Sequence, residues 1–274
     1  MPELPEVETF VAELRPHLVG RRIASARVLW PRTIAGSDPE TFEVHLAGQQ
    51  ITALDRRGKY LLCRLESGDT LIVHLRMTGR LEIVPPHSPA LSDPHVRAWF
   101  GLADGDYLVF NDTRKFGRIW LVADAQQVLL ALGPEPLAWD FTAAVLGERL
   151  RGRRAAIKAL LLDQTVIAGL GNIYADEALF LAGIHPLRPG GSLSDDEVRR
   201  LHEAIRQVLA EAIGQRGTTL RDYRPPYGAQ GAFQNQLRVY QQTGQPCSRC
   251  GTSIQRIRVT QRSTHFCPSC QPSS

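Results

Sequence analysis

Four cysteines near the C-terminus constrain this chain more than any other feature. They stand at Cys247, Cys250, Cys267 and Cys270, spaced C-x2-C-x16-C-x2-C. Each C-x2-C sets two sulfurs on one side of a tight turn, and the overall spacing is that of a four-thiolate zinc site. The sixteen residues between, GTSIQRIRVTQRSTHF, alternate as a β-hairpin does. Two disulfides would use the same four residues, but the opening MPELPEVETF has neither the basic patch nor the apolar run of a secretory segment. Four protein ligands close the coordination sphere, so one structural zinc ion is expected. The fifth cysteine, Cys63, lies in an apolar alternation and reads as a small core residue.

The rest of the chain must supply a conventional core. It has 274 residues, 43% apolar and 22% charged, enough for two domains of roughly 100–150 residues and unlike a disordered chain. No apolar stretch reaches the ~18 residues of a membrane span, and a cytoplasmic, bacterial, monomeric protein acting at the nucleoid is expected. The net charge of +4 is unevenly spread. From Arg216 onward there are eight arginines, one aspartate and no lysine or glutamate, while the preceding residues are net acidic. A concentrated arginine third implies a polyanionic partner, because guanidinium forks match phosphate bidentately.

The chain predicts an α+β fold. Val7, Phe10, Val11, Leu14 and Leu18 recur at helical spacing and Gly20 stops the run. From Ile23 to about Val122 short strands follow: IASARVLW, TFEVHLAG, YLLCRLES, TLIVHLRMTGRLEIV, VRAWFGL, YLVFND and RIWLV. Their regular turns argue for an antiparallel sandwich or barrel. A linker is expected over 132–150, beginning with LGPEPLAWD. Helices are then predicted at AAIKALLLD, at GNIYADEALFLAG with Asn172 as cap, and at SLSDDEVRRLHEAIRQVLAEAIGQRG with a Ser194/Glu197 capping box. The loop TTLRDYRPPYGAQGAF is long enough to suggest function. The divisions read 1–131, a linker over 132–150, 151–236 and 237–274.

Several clusters suit a nucleic acid. Arg149, Arg151, Arg153, Arg154 and Lys158 precede the helix-opening GLGN (169–172), a plausible clamp on a phosphate backbone. HLRMTG places Met77, and NDTRKFG places Arg114, Lys115 and Phe116, at strand-ending turns. Apolar side chains on turns beside arginine suit wedges that unstack a base step, as base-extruding enzymes require. Lys59 opens the strand in RRGKYLL.

PELPEVET, RRGKYLL, HLRMTG, NDTRKFG, GLGNIYADEALF, GIHP, GTTLRDY and CSRCGT…QRSTHFCPSCQ occur in this order over the whole length. The set resembles the bacterial formamidopyrimidine-DNA glycosylase family. That resemblance implies an N-terminal helix with a catalytic β-sandwich, a helix–two-turn–helix DNA-binding domain and a zinc hairpin. It implies excision of oxidised purines, 8-oxoguanine and formamidopyrimidines, from duplex DNA, then strand cleavage by β,δ-elimination. Removal of Met1 would make Pro2 the terminal residue, its secondary amine forming a Schiff base with the sugar. Glu3 is implied as general acid/base at the ring oxygen. Glu6 would hold the terminus and support proton traffic, Lys59 would contact phosphate and assist catalysis, and Arg262 is linked to phosphate and δ-elimination. Met77, Arg114 and Phe116 match the insertion residues, with Arg114 facing the orphaned cytosine. Lys115 stands where many members have Arg. His74, Lys158 and Asn172, together with His95 and Arg154, match phosphate contacts. Gly217, Thr218, Thr219, Leu220, Arg221, Asp222 and Tyr223 match the segment that closes over the lesion, and the following RPPYGAQGAF departs from common versions. Two alternatives remain: an endonuclease VIII-like glycosylase for oxidised pyrimidines, against which Leu4 argues, and a non-catalytic damage-binding protein.

Overall fold

In the computed structural model, which describes residues 1–218 and 231–273, the N-terminal stretch folds as α1 (Leu4–Leu18). Pro5 sits in its first turn, where a missing N–H costs nothing. Val7, Phe10, Val11, Leu14 and Leu18 are all buried on its inner face.

The chain divides into two units, Met1–Leu130 with Thr218–Gly231 and Ala131–Gly217 with Ala232–Ser274. The first contains β1 (Ile23–Val28), α2 (Pro39–Leu46), β2 (Ile51–Arg57), β3 (Tyr60–Leu65), β4 (Thr70–His74), β5 (Gly79–Val84), β6 (Val96–Leu102), β7 (Tyr107–Asp112), β8 (Arg118–Val122) and α3 (Gln126–Leu129). Two antiparallel four-stranded sheets form, in the orders β1-β6-β7-β5 and β2-β3-β4-β8. Leu54, Leu61 and Leu71 from one sheet share a core with Leu81, Phe100 and Phe110 from the other and with Phe10 and Leu14 of α1.

Two connections decide where the side chains of interest gather. The turn after β4 carries the chain from one sheet into β5 of the other, and the turn after β7 carries it back into β8. Register brings the two corners together, because His74 pairs with Arg118 in one sheet and Gly79 with Asp112 in the other. Tyr60 pairs with His74, so the Gly58–Lys59 turn lies at the same strand ends. Gly79 is required there: a Cβ would stand 2.4 Å from the Leu75 carbonyl oxygen.

TFEVHLAG, expected as a strand, is helical. Asp38 accepts the Thr41 N–H at 2.8 Å and Pro39 occupies the first turn. Phe42 and Leu46, four residues apart, are buried while Val44 between them is exposed. Alternation over five residues satisfied both periods, and the Asp-Pro start selects the helix.

The second unit contains α4 (Ala143–Leu150), α5 (Ile157–Leu162), α6 (Asn172–Ala182), α7 (Asp195–Gly214), β9 (Gln255–Val259) and β10 (Arg262–Phe266). The stretch read as a linker is folded. It contains α4, and Arg206 Nη1 of α7 donates to the carbonyls of Pro136 and Ala138, each at 2.9 Å. Ser194 and Glu197 form the expected capping box on α7. The cap of α6 is Gly171, and Asn172 is its first helical residue. β9 and β10 form the expected hairpin between the cysteine pairs.

Candidate functional site

The buried Glu6 carboxylate organises the N-terminus. Its Oε2 accepts the Glu3 N–H at 2.8 Å and its Oε1 accepts the Thr218 N–H at 2.7 Å. Glu3 is also buried, and Pro2 is packed directly ahead of it while Met1 is half exposed. The start of α1 thus holds two carboxyl groups and the imino acid within one turn. One turn further, Glu8 accepts from Arg56 Nε at 2.7 Å, and Arg56 Nη1 donates to the Gly58 carbonyl at 3.1 Å. That chain of contacts fixes the turn bearing Lys59, which is itself only 5% exposed.

His74 ends β4 with its ring edge-on to Tyr60, centroids 4.6 Å apart. Its Nδ1 accepts the Arg76 N–H at 2.9 Å, which leaves the proton on Nε2. Burial, with Arg76 and Lys59 nearby, pushes its pKa down to about 3. His74 is therefore a neutral donor. Met77, in the next turn, is half-buried.

The turn after β7 is pinned by Asp112, which is fully buried. Its Oδ2 accepts the Gly117 N–H at 2.7 Å, its Oδ1 accepts the Arg114 N–H at 3.2 Å, and its carbonyl accepts from Arg97 Nε at 2.8 Å. Arg114, Lys115 and Phe116 project outward. The Arg114 guanidinium lies 4.9 Å from the Phe116 ring centre, and Lys115 Nζ lies 4.0 Å from that of Trp30. Lys115 adopts a left-handed backbone with φ 60°. His95 is exposed beside this turn, its carbonyl accepting the Asp112 N–H at 2.9 Å. Gly117 can be nothing larger, since a Cβ would come 2.4 Å from the Phe110 ring.

In the second unit the residues expected as a clamp lie around α5 and α6. Lys158 has no exposed surface. Its ammonium donates to Asp176 Oδ1 at 2.5 Å and to the Ser263 carbonyl at 3.1 Å. Lys158, expected as a phosphate contact, is thus held inside the fold between a carboxylate and a backbone carbonyl. Asn172 Nδ2 donates to the same Ser263 carbonyl at 3.0 Å, and Asp176 Oδ2 accepts the His265 N–H at 2.9 Å. Together these contacts seat β10 against α6. Arg262, adjacent to Ser263, is exposed, as is Arg154 ahead of α5. Gly217 and Thr218 are buried; Gly217, at φ 78° just past α7, donates its N–H to the Ala212 carbonyl at 2.7 Å. Thr219, Leu220, Arg221, Asp222 and Tyr223 lie outside the described residues.

The four cysteines converge. Their sulfurs all lie within 4.8 Å of one another, with Cys247–Cys270 at 3.9 Å and Cys250–Cys267 and Cys250–Cys270 at 3.5 Å. A tetrahedron with Zn–S bonds of about 2.3 Å needs edges near this length. Backbone N–H groups of Arg249 and Cys270 point at the Cys247 and Cys267 sulfurs at 3.4 Å. The residues fit one structural zinc ion. The knuckles are seated on α6 by Arg249, which donates to the carbonyls of Phe180 and Leu181 at 3.0 and 3.2 Å, and by Gln271, which donates to the Ile184 carbonyl at 2.9 Å.

Sequence reasoning missed Arg97, Asp112, Asp176, Glu177 and Arg249. Glu177 is a buried carboxylate accepting the N–H groups of Arg238, Val239 and Tyr240, at 2.9 Å for each in its shortest contact. An Asp just before a Gly-ended turn was the visible signal for Asp112; the others depend on tertiary partners.

Comparison with known proteins agrees with this geometry. Residues 1–119 match the family model of the formamidopyrimidine-DNA glycosylase N-terminal domain, residues 132–224 that of its H2TH domain, and residues 244–272 a zinc finger found in FPG and IleRS. A formamidopyrimidine-DNA glycosylase of Chloroflexus aggregans is 54% identical over 274 residues, covering 99% of this chain and 98% of that one. A Lactococcus lactis Fpg complexed with DNA containing an abasic site superposes with a TM-score of 0.92 at 40% identity, covering 99% of this chain and 100% of that one. A variant of the L. lactis protein with Fapy-dG containing DNA gives 0.92 at 39%, with the same coverage.

Proposed function

Because the chain belongs to the formamidopyrimidine-DNA glycosylase family, we propose that it excises oxidised purines from duplex DNA and then cleaves the strand, with the amine of Pro2 as nucleophile. It is a base-excision repair glycosylase with abasic-site lyase activity, its partner is lesion-bearing DNA, and its cofactor is one structural zinc ion held by Cys247, Cys250, Cys267 and Cys270. The metal stabilises the hairpin fold and takes no part in the chemistry.

Removal of Met1 frees the secondary amine. Its nitrogen bonds to C1′ as the glycosidic bond breaks and the base leaves with the bonding electrons and a proton. Glu3 protonates the ring oxygen, the sugar opens, and the nitrogen–carbon bond becomes an iminium. Loss of a C2′ proton then expels the 3′ phosphate, and a second elimination, assisted by Arg262, expels the 5′ phosphate. An α-amine with a pKa near 8 is mostly protonated at neutral pH, so the neighbouring helix start contributes by favouring the uncharged form.

Lys59, His74, His95, Arg154 and Asn172 are assigned to the DNA backbone, and Lys158 acts through Ser263. Met77, Arg114 and Phe116 enter the duplex, with Lys115 beside them on Trp30. Gly217 to Tyr223 form the recognition segment. The β-sandwich carries the chemistry, the helical region grips the duplex and the zinc hairpin adds arginines.

The single observation that supports this reading best is the Glu6 carboxylate fixing the Glu3 amide at 2.8 Å, one residue from the nucleophile. Borohydride trapping on 8-oxoguanine duplex tests it. The processed chain should form a covalent adduct, and Pro2→Gly should lower it severely. Lesion binding without any adduct would leave only a damage-binding protein. An oxidised-pyrimidine duplex run in parallel measures substrate preference.

A further inference from the structure

The two insertion turns are joined by one hydroxyl. Thr78 Oγ1 donates to Asp112 Oδ1 at 2.5 Å and accepts the Arg114 N–H at 3.3 Å. Thr78 belongs to the corner carrying Met77, and Asp112 and Arg114 to the corner carrying Phe116. The flanking ladders bring these corners side by side but end before both, at His74–Arg118 and Gly79–Asp112. Beyond those ladders the Thr78 hydroxyl carries the connection from one tip to the other. Asp112 is anchored by other contacts as well: it is fully buried and holds the Gly117 amide, while Arg97 holds its carbonyl.

We infer that Thr78 is a positioning residue for base eversion, locking Met77 to Arg114 and Phe116 so that the three enter the helix as one body. The inference rests on the proposed function, which assigns those three side chains to the duplex. Wedges that enter independently can each relax without opening the base step. Wedges at a fixed separation must open it together, and an error of about 1 Å in placement is enough to lower a rate about a hundredfold. A hydroxyl on a carboxylate is strong enough to hold that separation.

The bridge matters most when a base must leave the stack. The test therefore compares two duplexes in single-turnover cleavage, one with 8-oxoguanine opposite cytosine and one with a preformed abasic site. Thr78→Val keeps the side-chain volume and deletes the bridge; Thr78→Ser restores the hydroxyl. Thr78→Val should slow 8-oxoguanine excision about tenfold, the effect of losing one charge-assisted hydrogen bond, and leave abasic-site cleavage within about twofold. Thr78→Ser should recover most of the loss. 2-Aminopurine placed opposite the lesion should become less fluorescent on binding Thr78→Val than wild type, because a base step that is opened less leaves the opposite base stacked. Equal rates for Thr78→Val and wild type on 8-oxoguanine would overturn the inference, as would equal proportional loss on both duplexes. Failure of the functional reading has a different signature: the wild-type processed chain would cleave neither duplex.

Discussion

Glu6 uses one carboxylate to hold two backbone amides, those of Glu3 and Thr218. Glu6→Gln would present an NH2 to one of them, leaving two donors facing each other in a buried site, at a cost of about 1–3 kcal/mol. Borohydride trapping should slow by roughly tenfold or more, and calorimetry should show a lower melting temperature. His74 makes a second prediction. Its folded pKa of about 3 lies below the value of about 6.5 for an unfolded histidine. Between those values the unfolded chain binds more protons, so stability falls as pH falls through the window and is unaffected by this group above it. Replacing His74 by Gln should flatten the denaturant-measured stability profile between about pH 6.5 and pH 4 and leave its slope near pH 8 unchanged. The residues proposed to carry chemistry sit in short contiguous motifs, which is why the sequence alone could single them out. Asp112 and Arg97 were not, because their importance comes from which strand ends the sheets place beside them.

At the scale of elements, the sequence showed α1, α7, most strands and the zinc hairpin through periodicity and capping. It misjudged α2, where Phe42 and Leu46 bury at helical spacing inside an apparent alternation, and the stretch before α4, whose anchors are carbonyls with no sequence signature. α2 depends on its cap, so Asp38→Ala should destabilise the first unit by about 1 kcal/mol in urea melts. The hairpin turn makes a prediction of opposite sign. Thr260 and Gln261 sit at φ 46° and 61°, a conformation that favours Asn and Gly. Replacing the pair by Asn-Gly should stabilise the zinc-loaded protein by about 1 kcal/mol, read as a higher thermal midpoint with zinc in constant excess.

Across the whole molecule, charge and metal act on separate aspects of behaviour. Eight arginines in the last 59 residues, against a net acidic remainder, make affinity for undamaged duplex strongly salt-dependent. Arg256→Ala with Arg258→Ala should weaken binding to all sequences and reduce the slope of log affinity on log salt by about one for each phosphate no longer neutralised. This bias was legible from composition. The seating of the hairpin was not, since it depends on α6 offering carbonyls to Arg249 and a carboxylate to Lys158. That arrangement has a consequence for anyone hoping to exchange the finger for another. Lys158 sits in a fully enclosed position, and one of its acceptors, the Ser263 carbonyl, is supplied by the hairpin. A shortened chain would open the Lys158–Asp176 pair to water and leave solvent to replace the lost backbone oxygen. The finger is therefore not a detachable cassette, and any transplant must return a carbonyl to that same spot.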